Sequence, residues 1–466
     1  MSHPSYIYRR MALIFVALLA GLFLGGSANG QSAEAPTRVW PGLTCSPAPC
    51  VLPPSQASEG GSTVTDPLIV ANPMDVKDLL LGSVDFNCPE PSSVGFHLSR
   101  DGGSTWKRVE CMPVIDKGGY VYWPGGEPSV GYDHKGNAFI GGGYGDSEDM
   151  GYGFFAIQKS ADDGTHWGKP VIALNSGASQ YAPYDTWMTV DAVAGSPRAN
   201  SLYVSGIVGL SETEDDVLVS HSTDGGATWK QVVAHQTQNS PGGDASTGMA
   251  VGKDGTVYLT WMYCREVACF AAHVMFSKST DGGNTWSAAQ RIAGGMPQSW
   301  QLPNTGEAVY NYPAIGIDDS DGPYSGNLYV AMYTWTGTYL QVQMIRSTDG
   351  GSSWSEPLPV APRSDTHDQF LPSLSVSPTG EVGVSWLDRR NSPPDIDYQA
   401  FAAISADGGR SFQRNWQLTK AFSNPKLNGI GEYSGSTWAG EDFIAAWIDS
   451  SNGVDMQEVV GGVRLK

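Results

Sequence analysis

One eight-residue pattern, S-x-D-x-G-x-T-W, returns six times along this chain. It occupies Ser99–Trp106, Ser160–Trp167, Ser222–Trp229, Ser279–Trp286, Ser347–Trp354 and, in a weaker form, Ser405–Phe412. The leading serines stand 61, 62, 57, 68 and 58 residues apart. Spacing of that length implies one supersecondary unit repeated radially or linearly, because each unit needs its neighbours to bury its apolar face.

The pattern reads as a turn. An Asp side chain accepts hydrogen bonds from backbone N–H groups one and two residues on. Gly supplies the positive φ of a tight turn. The closing Trp is large enough to pack between strands, with its N–H reaching a partner. The box aspartates are therefore expected to staple hairpins and not to catalyse.

The boxes resemble the Asp-box of the sialidase-like, BNR-repeat β-propellers, over most of the chain. That resemblance implies an all-β fold, a β-propeller of four-stranded antiparallel blades. Each repeat divides accordingly. Pro128–Asp133, Asn137–Gly143, Gly153–Lys159 and Lys169–Leu174 read as four strands in the second unit, by β-branched alternation and Gly/Asp/Asn turns. After the sixth box the chain offers three more strands, Tyr433–Trp438, Asp442–Trp447 and Val459–Leu465, and then ends. A strand from the other terminus, Thr37–Trp40 or Ser62–Thr65, would complete a seventh blade. Seven blades are expected; the alternative is six, with the C-terminal strands packed as an extension.

The N-terminus reads as a secretory signal over residues 1–30. Arg9 and Arg10 precede an apolar run, Met11–Leu24, too short to span a bilayer. The arginine pair is also compatible with twin-arginine export. Residues 31–66, rich in Pro, Ser and Gly, read as an arm around any closing strand, with the propeller over 67–466. The expected location is secreted or periplasmic, with no membrane span.

Six cysteines suit an oxidising compartment, and their order suggests Cys45 with Cys50, Cys88 with Cys111, and Cys264 with Cys269. Fifteen connectivities are possible. The C-x4-C spacing without paired histidines argues against zinc, and no cofactor or metal is expected. Asp318–Gly322 reads either as a solvated acidic turn or as part of a calcium loop. Without residues 1–30 the chain carries 25 basic and 47 acidic residues. That excess of negative charge excludes nucleic acid and anionic membranes as partners, though not an anionic sugar met by a local arginine cluster.

Strand order divides the loops between two faces. The boxes lie at third-to-fourth strand turns, so a site at the propeller axis must draw on first-strand starts and second-strand ends at the other face. Those positions carry Asp185, Tyr312, Asp368, Gln369, Glu432 and Tyr433, and Tyr263, Asp388, Arg389, Arg390 and Asp449. The resemblance implies a carbohydrate partner and a specific chemistry. Sialidases hold the substrate carboxylate with three arginines, whose forked guanidinium matches it. They use a tyrosine nucleophile assisted by a glutamate, with an aspartate as acid/base. The residues that answer are Glu432 with Tyr433, Asp388 or Asp368 as the acid, Arg389 and Arg390 as clamps, and Tyr312 and Asp185 on the substrate side. Two readings compete with these roles. Asp388–Arg390 can be an ion-paired loop tying two blades, and Tyr433 can simply pack at a blade junction. Three departures stand beside the resemblance: Pro67–Pro73 lacks the family's early arginine, the remaining arginines Arg265, Arg291 and Arg346 assemble no obvious triad, and sialidase domains have six blades. The function classes left are a glycoside hydrolase of unknown substrate and a non-catalytic propeller that binds a glycan or protein; an assembly-factor role resembling that in photosynthetic membranes has no residue signal of its own.

Overall fold

A computed structural model of the chain describes residues 45–466 except 147–152, 177–180, 267–268, 363–365, 393–394 and 428. The expected signal segment and Thr37–Trp40 lie outside the described residues. Seven antiparallel sheets follow one another in sequence and form the blades of a β-propeller.

Blade 1 is built from Val64–Ala71, Leu79–Asp85, Val94–Ser99 and Lys107–Cys111. Blade 2 starts from the long Tyr120–Tyr132 strand, which Ile115–Lys117 extends as a hairpin into a fifth strand. Blades 3 to 6 start at Tyr184–Val190, Gly243–Val251, Ala314–Ile317 and Gln369–Val376. A separate hairpin, Ser299–Gln301 with Ala308–Tyr310, sits between blades 4 and 5. Blade 7 holds Gly435–Ala439, Asp442–Asp449 and Gln457–Arg464, and its fourth strand is Cys50–Gln56. The ring therefore closes with a strand from the N-terminal side, at a position neither expected candidate occupied. Ser62–Thr65 instead leads into the first strand of blade 1, where Val64 and Thr65 pair with Asp85 and Val84.

Six boxes serve seven blades because the third-to-fourth turn of blade 7 is where the chain is interrupted. The box geometry corrects one detail of the expected turn. The aspartate accepts from the backbone N–H four residues on, as from Thr228 to Asp224 at 2.9 Å. The serine is the second staple: buried Ser222 Oγ accepts Gly226 N–H at 2.9 Å and donates to Asp224 at 2.8 Å. Trp229 Nε1 donates to the carbonyl of Gly226 at 3.0 Å, within its own box. The three suggested disulfides are the three that form. Apolar faces of adjacent blades interdigitate, as where Phe139, Phe155 and Ile157 of blade 2 meet Met188 and Val204 of blade 3. No helix among the described residues is long and apolar enough to cross a membrane.

Removing residues 1–56 strips the fourth strand from blade 7 and bares the edge at Val459, Val460 and Val463. The melting temperature is expected to fall by ~10 °C or more, a loss of several kcal/mol at this size. Ser222→Ala leaves the Gly226 N–H without its acceptor and is expected to cost about 1–3 kcal/mol in chemical denaturation.

Candidate functional site at the propeller axis

The inner strand of most blades breaks its ladder near its start. The registers jump between Thr65 and Leu68, Gly126 and Ser129, Tyr184 and Trp187, Ala245 and Gly248, and Phe370 and Ser373. At each jump one residue adopts a left-handed backbone: Asp66, Glu127, Asp185, Ser246 and Leu371, with φ of 57°, 57°, 52°, 58° and 49°. In register, Tyr312 of blade 5 and Tyr433 of blade 7 hold the same place, two residues before the paired Ala314 and Gly435. A bulge re-aims a side chain. Seven such positions form a ring at the axis.

Hydrogen bonds across the ring establish the convergence. Tyr312 Oη lies 2.6 Å from Asp185 Oδ1 and 2.8 Å from Glu432 Oε2, joining blades 3, 5 and 7. Glu127 accepts from the backbone N–H groups of Asp185 and Thr186 at 3.1 and 2.7 Å. Asp185 Oδ2 accepts from Ser246 N–H at 2.8 Å, and Asp66 accepts from Glu432 N–H. The Tyr433 ring meets Tyr312 edge-on at 5.1 Å and Trp187 at 5.9 Å. Beneath these rings an axial cavity of about 190 Å³ runs between the inner strands, past Leu68, Thr247, Ser373 and Ser436.

Four carboxyl groups thus share one enclosed spot. Burial, and then the neighbouring acids, push Glu432 well above the usual carboxylate range and Glu127 to about 8. Burial also raises Asp66 and Asp185. The Tyr312 and Tyr433 phenols are held protonated by burial and the same negative neighbours. Tyr312 has one hydroxyl proton for two carboxylate oxygens, so both contacts are hydrogen bonds only when one carboxyl carries a proton. Burial and three neighbouring acids favour the protonated form of Glu432. The chain then runs from Glu432 through the Tyr312 hydroxyl to Asp185.

The structure brings together Asp185, Tyr312, Glu432 and Tyr433 of the expected site residues. It places Asp368, Asp388, Arg389 and Arg390 in a second cluster, and the expected convergence of both arginines on Glu432 and Tyr433 does not occur. Arg389 is fully buried, 3.4 Å from Asp368 and 3.0 Å from the carbonyl of Pro303, so it fastens the inserted hairpin to blade 6. Arg390 pairs with Asp388 at 2.5 Å and lies over Phe401, while Asp388 also accepts from Trp386 Nε1 at 2.7 Å. Asp368 caps the Leu340 N–H at 2.9 Å, and burial raises its carboxyl. These are the contacts of an ion-paired loop tying structural elements. No arginine or lysine bonds to the four axial acids among the described residues. Nor do the described residues include a group of three or more His, Cys, Asp or Glu side chains arranged to hold a metal ion. In the Asp318–Gly322 turn, Asp319 accepts from the Lys253 N–H and Asp318 from its own loop.

Sequence reading missed Asp66 and Glu127. Their signal was the register: both precede a proline at the start of a first strand, in line with Asp185.

Fold and boxes define a seven-bladed Asp-box propeller. A family model of BNR repeat-like domains matches residues 200–439, and the chain belongs to that family, the BNR-repeat, sialidase-like β-propellers. No curated protein sequence matches the chain. Among solved structures, it is similar to a protein of unknown function from Dyadobacter fermentans, at 13% identity over 73% of this chain and 94% of that one, with a TM-score of 0.47. A Hadza microbial sialidase is 14% identical over 83% and 73%, with a TM-score of 0.46. An α-L-arabinofuranosidase from Fusarium graminearum is 13% identical over 72% and 92%, also at 0.46. These are likenesses of fold.

The axial and box acids give stability opposite pH dependences. Glu127 titrates near 8 when folded, so its contribution is full below the ordinary carboxylate range and declines as pH rises toward 8. Asp224, held down to about 2 by the Thr228 hydroxyl and N–H, contributes above pH ~4 and loses that contribution as pH falls toward 2. Melting temperature is expected to peak near pH 5 and decline toward pH 8, with Glu127→Gln flattening the alkaline limb. A curve that is flat or rising from pH 5 to 8 contradicts this account.

Proposed function

We propose that this protein is a glycoside hydrolase acting on a glycan without an anionic group, and that the axial ring is its working end. The observation that carries the reading is the Tyr312 hydroxyl held between Asp185 and Glu432 at 2.6 and 2.8 Å. It links a protonated carboxyl to a second carboxyl whose nearest oxygen, by those two bonds, lies within 5.4 Å. That bound is compatible with the roughly 5–5.5 Å between the carboxyl groups of retaining glycosidases.

In this reading Glu432 donates its proton to the leaving-group oxygen, and burial among like charges keeps that proton in place near neutrality. Asp185, fixed by the Ser246 N–H and by Tyr312, is the partner that meets developing positive charge at the sugar. Tyr312 orients the two acids, and the Tyr433 ring packs against Tyr312. Among the described residues no arginine or lysine bonds to the ring, and its four acids would repel a substrate carboxylate. Carbohydrate as the ligand class rests on the family and on this acid pair.

A second reading, a binding propeller without catalysis, is favoured by one observation: Glu127 and Asp66 spend their oxygens on backbone N–H groups of neighbouring blades. One experiment separates the two. The purified protein is incubated with 4-nitrophenyl glycosides of neutral pyranoses and furanoses and with a sialoside. Release from a neutral glycoside, cut ~100-fold or more in kcat by Glu432→Gln and Asp185→Asn, is expected. Binding without any hydrolysis supports the second reading. Cleavage of the sialoside alone contradicts the proposed substrate class.

A further inference from the structure

Blade 5 has the shortest outer strand of the ring, followed by the three residues Asn415–Gln417 of blade 6. The blade 5 strand is two residues long, Leu358–Pro359, where the outer strand of blade 4 runs over seven, Gln290–Met296. The cause is in the sequence. Pro357 and Pro359 have no N–H to donate, so the ladder along Leu340–Ser347 is interrupted between Ser355 and Val360, which donate to the carbonyls of Arg346 and Val342 at 2.9 and 3.1 Å. On the facing edge of blade 4 stands Gly294, with the Arg291 guanidinium and the His273 ring packed where its Cβ would be. A groove of about 510 Å³ lies at this seam of blades 4 and 5. That volume lies in the ~300–1,000 Å³ range of small-molecule sites.

The lining is specific. Two indoles, Trp335 and Trp354, supply flat walls. Both are braced from behind. Trp335 stacks on Trp300 of the inserted hairpin with centroids 4.4 Å apart, and Trp354 meets Phe276 edge-on at 5.3 Å. Between them lie Gln343, Thr334 and Glu356. The Gln343 amide nitrogen donates to Gln341 at 3.0 Å, which fixes the amide with its oxygen as an acceptor. Beyond Trp300, Phe270 stands 67% exposed, 6.3 Å from the indole.

We propose that this lateral groove is a second carbohydrate site that takes a neutral oligosaccharide chain. Rigid aromatic planes offer the apolar C–H face of a sugar a large contact at low entropic cost. The amide, hydroxyl and carboxylate between them match equatorial hydroxyls, and hydrogen bonds to the carboxylate are the stronger kind. Among the described residues no lysine or arginine is in the lining itself, the Arg291 guanidinium packs at its edge against Gly294, and Glu356 opposes an anionic chain. A lipid or other apolar ligand would leave those three polar groups without partners. The site is separate from the axial ring: it lies on the flank, at the outer strands, and uses none of the axial residues.

The test is native gel electrophoresis through matrices containing galactomannan, arabinoxylan, mixed-linkage β-glucan or, as the anionic control, polygalacturonate. Retardation of the whole protein by at least one neutral polysaccharide is expected. Trp335→Ala and Gln343→Ala should each weaken it ~10-fold or more, with melting temperature checked for both. Glu432→Gln should bind as the parent does. Gln343→Ala carries the test if Trp335→Ala does not fold. Retardation by none of the neutral polysaccharides, retardation by polygalacturonate alone, or full retention in a folded Gln343→Ala would overturn the proposal. Turnover of small 4-nitrophenyl glycosides should be unchanged in Gln343→Ala, so failure of the groove and failure of the axial reading are told apart.

Discussion

The left-handed bulge near the start of the inner strands is the constraint on which the axial end of this molecule depends. A regular strand alternates its side chains between the two blade faces, where apolar residues are wanted. Turning one residue to φ near +55° breaks that alternation and sends a side chain toward the axis instead. The cost is about 1 kcal/mol per non-glycine residue. Hydrogen bonds between blades offset it: Glu127 takes two N–H groups of blade 3, and Asp185 one of blade 4. The same carboxylates that depart from the regular strand therefore also tie the blades at their narrow end.

Placing acids in a ring has an electrostatic consequence that the blades cannot avoid. Four carboxyl groups this close cannot all ionise, and burial raises each of them, which favours protonation. Tyr312 decides where the proton is used, since its single hydroxyl joins the two acids that reach across the axis. The aromatic floor of Tyr312, Tyr433 and Trp187 separates this polar ring from the narrow cavity below.

The repeat was legible because the box is local. Serine, aspartate, glycine and tryptophan meet within eight residues, and their spacing follows the blade length directly. The blade count was legible from three unpartnered strands after Phe412. The closing strand was not placed, because Cys50–Gln56 contains two prolines and an irregular register and carries no alternation. Glu432, Tyr433, Tyr312 and Asp185 were found from topology alone. Asp388, Arg389 and Arg390 shared the same topological position, yet their contacts lie within blade 6 and the inserted hairpin. Strand-end position tells which face a residue occupies but not whether its side chain turns inward: a left-handed bulge accompanies that at Asp66, Glu127 and Asp185, while Tyr312, Glu432 and Tyr433 reach the axis without one. The buried polar seam of His97, Asp85 and Glu458 between blades 1 and 7 likewise gave no sequence signal, since its members come from strands nearly 400 residues apart.

Seven copies of one unit would bind nothing in particular, because symmetry gives every blade the same surface. Specific surfaces here arise where the repeat is broken. Blade 5 departs twice. At its inner end a tyrosine stands where blades 1 to 3 hold an acid, and it supplies the hydroxyl that joins Asp185 to Glu432. At its outer end two prolines interrupt the last strand beside a groove at the seam with blade 4. The box of that blade keeps its staple, with Ser347, Asp349 and Gly351 making the same hydrogen bonds as in the others, while its closing Trp354 lines the groove. The staple needs only the serine, aspartate and glycine of the turn, so the blade could be altered at both ends without its loss.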